Sequence, residues 1–221
     1  MMHRLCCLAL LLSTIACSTV REVDAPDTRP SDGTARRIEN ADALAYDVTL
    51  DIAAPIGVVW GVLTDARAYT TWNSTIVSLD GSIAKDGQLA LVAKTDPERT
   101  FELAVSTFDA PRTMVWEDGM PLGLFAGVRT FTLTSVDDKT TRFSMQEVFS
   151  GGMLSMIAGE LPDFRPSFEA FAKDLKTQSE KLAGASAPST TEPAEAAAEP
   201  AATEPSGTDA AEAAAPASPT P

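Results

Sequence analysis

Residues 46–73 read YDVTLDIAAPIGVVWGVLTDARAYTTWN, and the change of period inside that stretch decides the fold. From Tyr46 to Ile52 apolar and polar residues alternate at every second position, the pattern of a strand with one buried face. The alternation stops at Ala53-Ala54-Pro55. Pro55 stands where a helix can begin, since a first-turn N–H has no acceptor within the helix, and Ile56, Val59, Trp60 and Leu63 then recur at helical spacing. Asp65 is placed to cap a second short helix over residues 66–72, with Tyr69 and Trp72 on its inner side.

Working outward toward the C-terminus, strand signals fall at 76–79, 89–93, 100–108, 113–117, 128–135 and 141–150. The turns between them are marked by Asp80-Gly81, Asp96-Pro97, Ala110-Pro111 and Asp137-Asp138. This spacing predicts a meander of antiparallel strands. The period becomes helical again after Gly151-Gly152. Met153 to Ala158 reads as a short helix or lid, and Phe164, Phe168, Phe171, Leu175 and Leu182 form one apolar stripe of a long helix that Gly184 ends. Pro162 and Pro166 fit only near that helix's start, where a missing N–H costs little. The expected fold is α+β, a long C-terminal helix packed on a curved antiparallel sheet, as one domain over residues 44–183.

The composition narrows the chemistry. All three cysteines (Cys6, Cys7, Cys17) and the only histidine (His3) lie in the first 17 of 221 residues. The folded segment therefore has no disulfide, no Cys/His zinc site, no Cys nucleophile and no His general base. A formal charge of −14 opposes binding to nucleic-acid phosphates. There is no G-x-S-x-G, no H-E-x-x-H and no Gly-rich phosphate loop, and Asp65, Asp80, Asp86 and Asp96 fall in separate turns without calcium-loop spacing. No metal or cofactor is expected.

Strand alternation places Phe143, Met145, Glu147 and Phe149 on one face of one strand, and Phe125, Arg129, Phe131 and Leu133 on one face of the strand before it. Phe101, Leu103 and Val105 share a face in the same way, as do Met114 and Trp116. The candidate ligand-cavity residues are Phe101, Leu103, Trp116, Phe125, Arg129, Phe131, Met145, Glu147, Phe149, Met156, Phe164 and Phe168. Arg129 and Glu147 are the only charges on their two apolar faces, so they are expected to pair. That pair either fixes strand register or anchors the polar end of a ligand. Met153 and Met156 read either as gap-filling core or as a lid. Were the protein an enzyme, Glu147, Tyr69 and Glu117 would be the acid/base candidates, with Arg129 and Glu147 the polar groups of a shaped cavity.

The run from Asp51 to Pro55, followed by Val59-Trp60-Gly61-Val62-Leu63-Thr64-Asp65, Tyr69 and Trp72-Asn73, resembles the START-like, or birch-pollen-allergen-like, superfamily, in its polyketide cyclase/dehydrase (SRPBCC) branch. Residues 127–133, 141–147 and 149–151 resemble that branch's last strands in order and spacing. Ser74 departs from the pattern, which usually has Pro after Trp-Asn. The resemblance covers residues 44–183. It implies a helix-grip fold, a curved sheet wrapped around the C-terminal helix with a hydrophobic cavity between them, and a cavity that more often carries an apolar molecule than transforms it.

The flanks carry separate expectations. His3, Arg4 and the apolar run 5–16, too short for a bilayer, read as a signal peptide over 1–16. Its end, Ser13 to Cys17, resembles the lipobox of bacterial lipoproteins, although Thr14 stands where Leu is usual. That resemblance implies acylation of Cys17, secretion across the inner membrane and a membrane anchor on the periplasmic side, and Ser18 in place of Asp points to the outer membrane. Ordinary cleavage leaving a free thiol is the other reading. Residues 17–43 read as a polar tether. Residues 184–221, rich in Ala and Pro and without Lys, Arg or aromatic residues, read as a disordered tail. The expected function is binding of an apolar or amphipathic, lipid-like small molecule, as an envelope carrier, sensor or sequestering protein. The alternatives are a cyclase- or hydratase-type enzyme on a hydrophobic substrate, and an envelope interaction protein that works through its tail.

Overall fold

The structure, a computed structural model, describes residues 30–186. The expected signal peptide, Cys17, the first part of the expected tether and, from residue 187 onward, the expected tail lie outside the described residues. Eight strands form one antiparallel sheet: β1 (Arg36–Glu39), β2 (Ala43–Ile52), β3 (Ile76–Gly81), β4 (Gln88–Ala93), β5 (Asp96–Asp109), β6 (Thr113–Gly119), β7 (Ala126–Ser135) and β8 (Thr141–Ser150). Their spatial order is β1-β2-β8-β7-β6-β5-β4-β3, so β3 to β8 form the expected meander and β2 returns to pair with β8. The sheet stays open, with β1 and β3 as its edges. Among the described residues four α-helices complete the fold: α1 (Ile56–Thr64), α2 (Tyr69–Trp72), α3 (Leu154–Ile157) and α4 (Arg165–Ser186).

The sheet grips α4 through aromatic contacts that follow from the two periods. On β2, Leu44, Tyr46, Val48 and Ile52 are buried, and on α4 so are Phe168, Phe171 and Leu175. Phe171 is the centre of this core: its ring lies 5.7 Å from Trp72, 5.8 Å from Phe131, 6.2 Å from Phe143 and 6.3 Å from Tyr69. One side chain thus joins α4, α2, β7 and β8. α1 buries Val59, Trp60 and Leu63 as its spacing predicts.

Four local readings are corrected. Part of the expected tether is folded: Arg36–Glu39 pairs with β2, and Asp32 bridges Leu50. Every residue of β1 is exposed, so an edge strand of this kind has no buried face to imprint a period, and it is held instead by main-chain bonds and by Arg36 on buried Asp47 at 2.9 Å. Asp65 makes no side-chain cap, and the segment after it opens as a 3₁₀ turn over Ala66–Ala68. Asp96-Pro97 lies inside β5, in the stretch between the Ala93↔Asp96 and Leu91↔Phe101 pairs where the register breaks and Pro97 deprives no ladder of a donor. Leu182 is 40 % exposed while Ser179 is buried, and α4 runs through Gly184 to Ser186.

Candidate ligand cavity

Between the inner face of the sheet and the first turns of α4 lies a cavity of about 230 Å³. An engineered cavity of roughly 150 Å³ holds benzene, so this one has room for a larger apolar group. Phe101, Leu103, Trp116, Phe125, Arg129, Met145, Glu147 and Phe149 line it from the sheet, and Phe164 and Phe168 line it from the helix side. Two of the residues expected there are elsewhere. Phe131 is wholly buried and packed, with its ring 4.9 Å from Trp116 and 5.8 Å from Phe171. Met156 is 75 % exposed on α3 and does not line the cavity.

Strand register explains where the cavity ends. Arg129 pairs with Glu147 across β7 and β8, Glu147 with Tyr46 across β8 and β2, and Arg129 with Trp116 across β7 and β6. These four side chains therefore form one row across the inner face. The next row on the β2 end of the sheet holds Leu44, Phe149, Gly127 and Asp118. The next row the other way holds Val48, Met145, Phe131 and Met114. Phe131, one row deeper than Arg129, is covered by Phe171, which itself lines the cavity together with Met145 of Phe131's row, whereas Gly127, in the outer row, leaves a gap in the wall. A Cβ on Gly127 would sit 3.5 Å from the Phe149 ring and 3.8 Å from Glu147 Oε1, so a side chain here would project into that gap without displacing backbone.

Arg129 and Glu147 do meet, as expected. Nε and Nη2 of Arg129 donate to the same oxygen, Glu147 Oε2, at 3.1 and 2.5 Å. The two side chains are 21 % and 13 % exposed, and the guanidinium lies 5.6 Å from the Phe168 ring. Of the other acid/base candidates neither lines the cavity. Tyr69 donates its hydroxyl to Leu63 O at 2.7 Å, and burial pushes its pKa far above the ordinary phenol value despite the opposing charge of Arg129. Glu117 accepts from Ser106 on an exposed face.

Sequence reasoning missed the side of the cavity formed by the β4–β5 hairpin, the β8–α4 connection and the first turn of α4: Thr95, Asp96 and Arg99, then Leu161 and Pro162, then Ser167. Arg99 lies over the Phe101 ring at 4.4 Å and 4.0 Å from Asp118, a second, more exposed ion pair. The signal for Arg99 was its position two residues before Phe101 on one strand face. The connection is shaped by Gly151, whose φ of +115° belongs to the region that favours glycine. A Cβ there would meet Leu124 O at 2.7 Å, and Met153 N–H donates to that carbonyl at 2.9 Å, joining the β6–β7 loop to the β8–α4 connection. Tyr46 donates to Pro162 O at 3.4 Å and so ties the connection to β2.

Residues 44–183 match the family model described as polyketide cyclase / dehydrase and lipid transport. Among solved structures, a protein from Rhodobacter sphaeroides aligns at 16% identity and a TM-score of 0.51, over 67% of this chain and 99% of its own. A norcoclaurine synthase from Thalictrum flavum, solved with a transition-state analogue, aligns at 11% identity and a TM-score of 0.50, over 66% of this chain and 98% of its own. A START superfamily protein from Mycobacterium smegmatis aligns at 21% identity and a TM-score of 0.48, over 62% of this chain and 98% of its own. No curated protein sequence matches. With the family model spanning well over half the chain and the open sheet gripping its C-terminal helix, the protein belongs to the START-like polyketide cyclase/dehydrase and lipid transport family.

Proposed function

We propose that this protein binds one apolar or amphipathic small molecule in the cavity between α4 and the sheet, as a carrier, sensor or sequestering protein. The observation that carries the reading is the lining: aromatic and aliphatic side chains around about 230 Å³, with charged groups confined to Arg129–Glu147 and to the Asp96, Arg99 and Asp118 side. We further propose that Cys17 is acylated and holds the domain at the periplasmic face of a bacterial membrane, the outer one in preference. Cys17→Ser with unchanged processing and membrane fractionation overturns the anchor.

The binding test is titration of the purified protein with an environment-sensitive fluorescent lipid, alongside mass spectrometry for co-purifying small molecules. The expected result is saturable binding with about one site per chain, weakened roughly tenfold or more in Gly127→Val, which fills the wall gap while leaving the thermal midpoint within a few degrees. No saturable binding and no co-purifying molecule overturns it. A cyclase- or hydratase-type activity is the second reading, favoured by one observation: Glu147 Oε1 accepts no hydrogen bond among the described residues. That reading predicts turnover of a hydrophobic substrate that is lost in Glu147→Gln while ligand affinity survives.

A further inference from the structure

Eight large apolar side chains stand exposed among the described residues, and four of them fall on two segments that the fold joins. Ile38, Val77, Val136 and Leu182 occur singly, on β1, on β3, in the β7–β8 turn and on α4. Met120, Leu122 and Leu124 share the β6–β7 turn, and Met156 stands on α3. Two main-chain bonds clamp these segments together, Met153 N–H to Leu124 O at 2.9 Å and Gly152 N–H to Gly123 O at 3.3 Å. A third closes the turn, Met120 N–H to Phe125 O at 2.7 Å. The result is one apolar tip beside the cavity, to whose wall the same turn contributes Phe125.

The turn holds Leu122 where packing offers it nothing. Its φ of +63° lies in the left-handed region, which a bulky L side chain enters only at a cost, yet the residue is 97 % exposed and gains no core contact in return. No charge falls between Asp118 and Arg129 or between Glu147 and Glu160, so both segments of the tip are uncharged. The domain as a whole is acidic: residues 30–186 hold 22 Asp or Glu against 14 Lys or Arg. An anionic lipid surface would repel it and would find no basic cluster at the tip to offset that repulsion. A bilayer of neutral headgroups needs none. Its interface yields around side chains carried singly on turn ends, whereas a protein partner would have to shape a pocket to each. We propose that this tip docks on a membrane: Leu122 and Met156, with Met120 and Leu124 beside them, enter the interface of a bilayer of zwitterionic lipids and set the cavity mouth against it. The proposal stands on the exposed tip and not on what the cavity holds.

The test uses the chain from Ser18 to Pro221, which keeps every described residue and lacks both the apolar run 5–16 and every cysteine, so that no leader or acyl group can bind lipid. An environment-sensitive dye is attached to Met156→Cys in one preparation and, in another, to Ser31→Cys, which lies beside Asp51 at the other end of β2. Each is titrated with phosphatidylcholine vesicles. The first dye is expected to shift to the blue saturably and to be quenched by nitroxide-labelled lipid, and the second to do neither. Leu122→Asn, whose side chain tolerates the left-handed turn, is expected to hold the thermal midpoint within a few degrees while weakening vesicle binding about tenfold, the scale of keeping one leucine in water. Replacing roughly a third of the lipid with phosphatidylglycerol is expected to weaken binding as well. No shift at position 156, equal shifts at the two positions, unchanged binding in Leu122→Asn, or tighter binding to the anionic vesicles overturns the proposal. So does a dimer that forms without vesicles and that Leu122→Asn dissociates, which would make the tip a contact between two copies of the chain.

Discussion

Asp51 shows how one residue serves the fold at its closed end. It is the last polar position of the β2 alternation, and its carboxylate accepts from Arg142 Nε at 2.8 Å, from Arg142 Nη2 at 2.9 Å and from Ser31 Oγ at 3.1 Å. The Arg142 hydrogen bonds, outweighing desolvation, hold its pKa below the ordinary carboxylate value. The folded state therefore binds this proton less tightly than the unfolded chain. The contribution to stability is full above the ordinary value of 3.8 and is lost as the pH falls through the lower folded value. Because both side chains are about a third exposed, its size is that of a surface pair, under about 1 kcal/mol. Urea midpoints of wild type and Asp51→Asn should differ slightly at pH 6 and converge between about pH 4 and 2. A gap that persists at pH 2 would show that the carboxylate's charge is not its source. Ser74 answers its departure from the family pattern at the same scale: its N–H donates to Asp174 on α4 at 2.7 Å, a bond that the usual proline could not make.

Among the elements, the β8–α4 connection sets access to the cavity, because Leu161 and Pro162 line it and little of α3 is buried. Tyr46 reaches this connection from the second position of β2's inner face, accepting from Arg37 Nε at 3.2 Å and donating to Pro162 O at 3.4 Å. Its ring packs at 5.4 Å against Phe164 and 5.9 Å against Phe168, so the hydroxyl can be removed while the packing stays. Tyr46→Phe is expected to cost about 1 kcal/mol and to speed release of the fluorescent lipid several-fold with a smaller change in its association rate. Stopped-flow release no faster than wild type would mean that the connection does not gate the cavity.

At the scale of the whole molecule, both described chain ends lie at the pole away from the cavity. Asp32 bridges Leu50, Ala53 N–H donates to Glu180 on the last turns of α4, and Lys176 donates to Asp51 O. The cavity instead opens where β2 begins and α4 starts, beside Phe149, Phe125 and Pro162. A group attached at Ser31 is therefore expected to leave the cavity free. In a chain beginning at Ser18, which has no cysteine, coupling a bulky polymer to Ser31→Cys should leave lipid affinity within about twofold of wild type. The same polymer on Leu122→Cys, in the exposed turn between Asp118 and Phe125, should weaken it at least tenfold. Equal effects at the two positions would refute this polarity.

What the residues determined alone is what period and turn chemistry encode. The switch at Pro55, the meander, the aromatic stripe of α4 and the Arg129–Glu147 pair were all legible, because each rests on alternation within a strand or repetition along a helix. Three things needed the tertiary structure. β1 has no period, since all four of its residues face solvent and only pairing with β2 makes it a strand. Phe131 and Phe149 share their pattern of alternation, yet one is core and the other cavity wall, because Phe171 on α4 packs over the inner row and Gly127 leaves the outer row open. Arg99 enters the wall from the start of β5, and Leu161 and Pro162 from a connection whose path is set by main-chain bonds between distant segments, such as Met153 to Leu124. Period tells which way a side chain points, and only the packing of the facing helix decides whether it meets another side chain or an empty space.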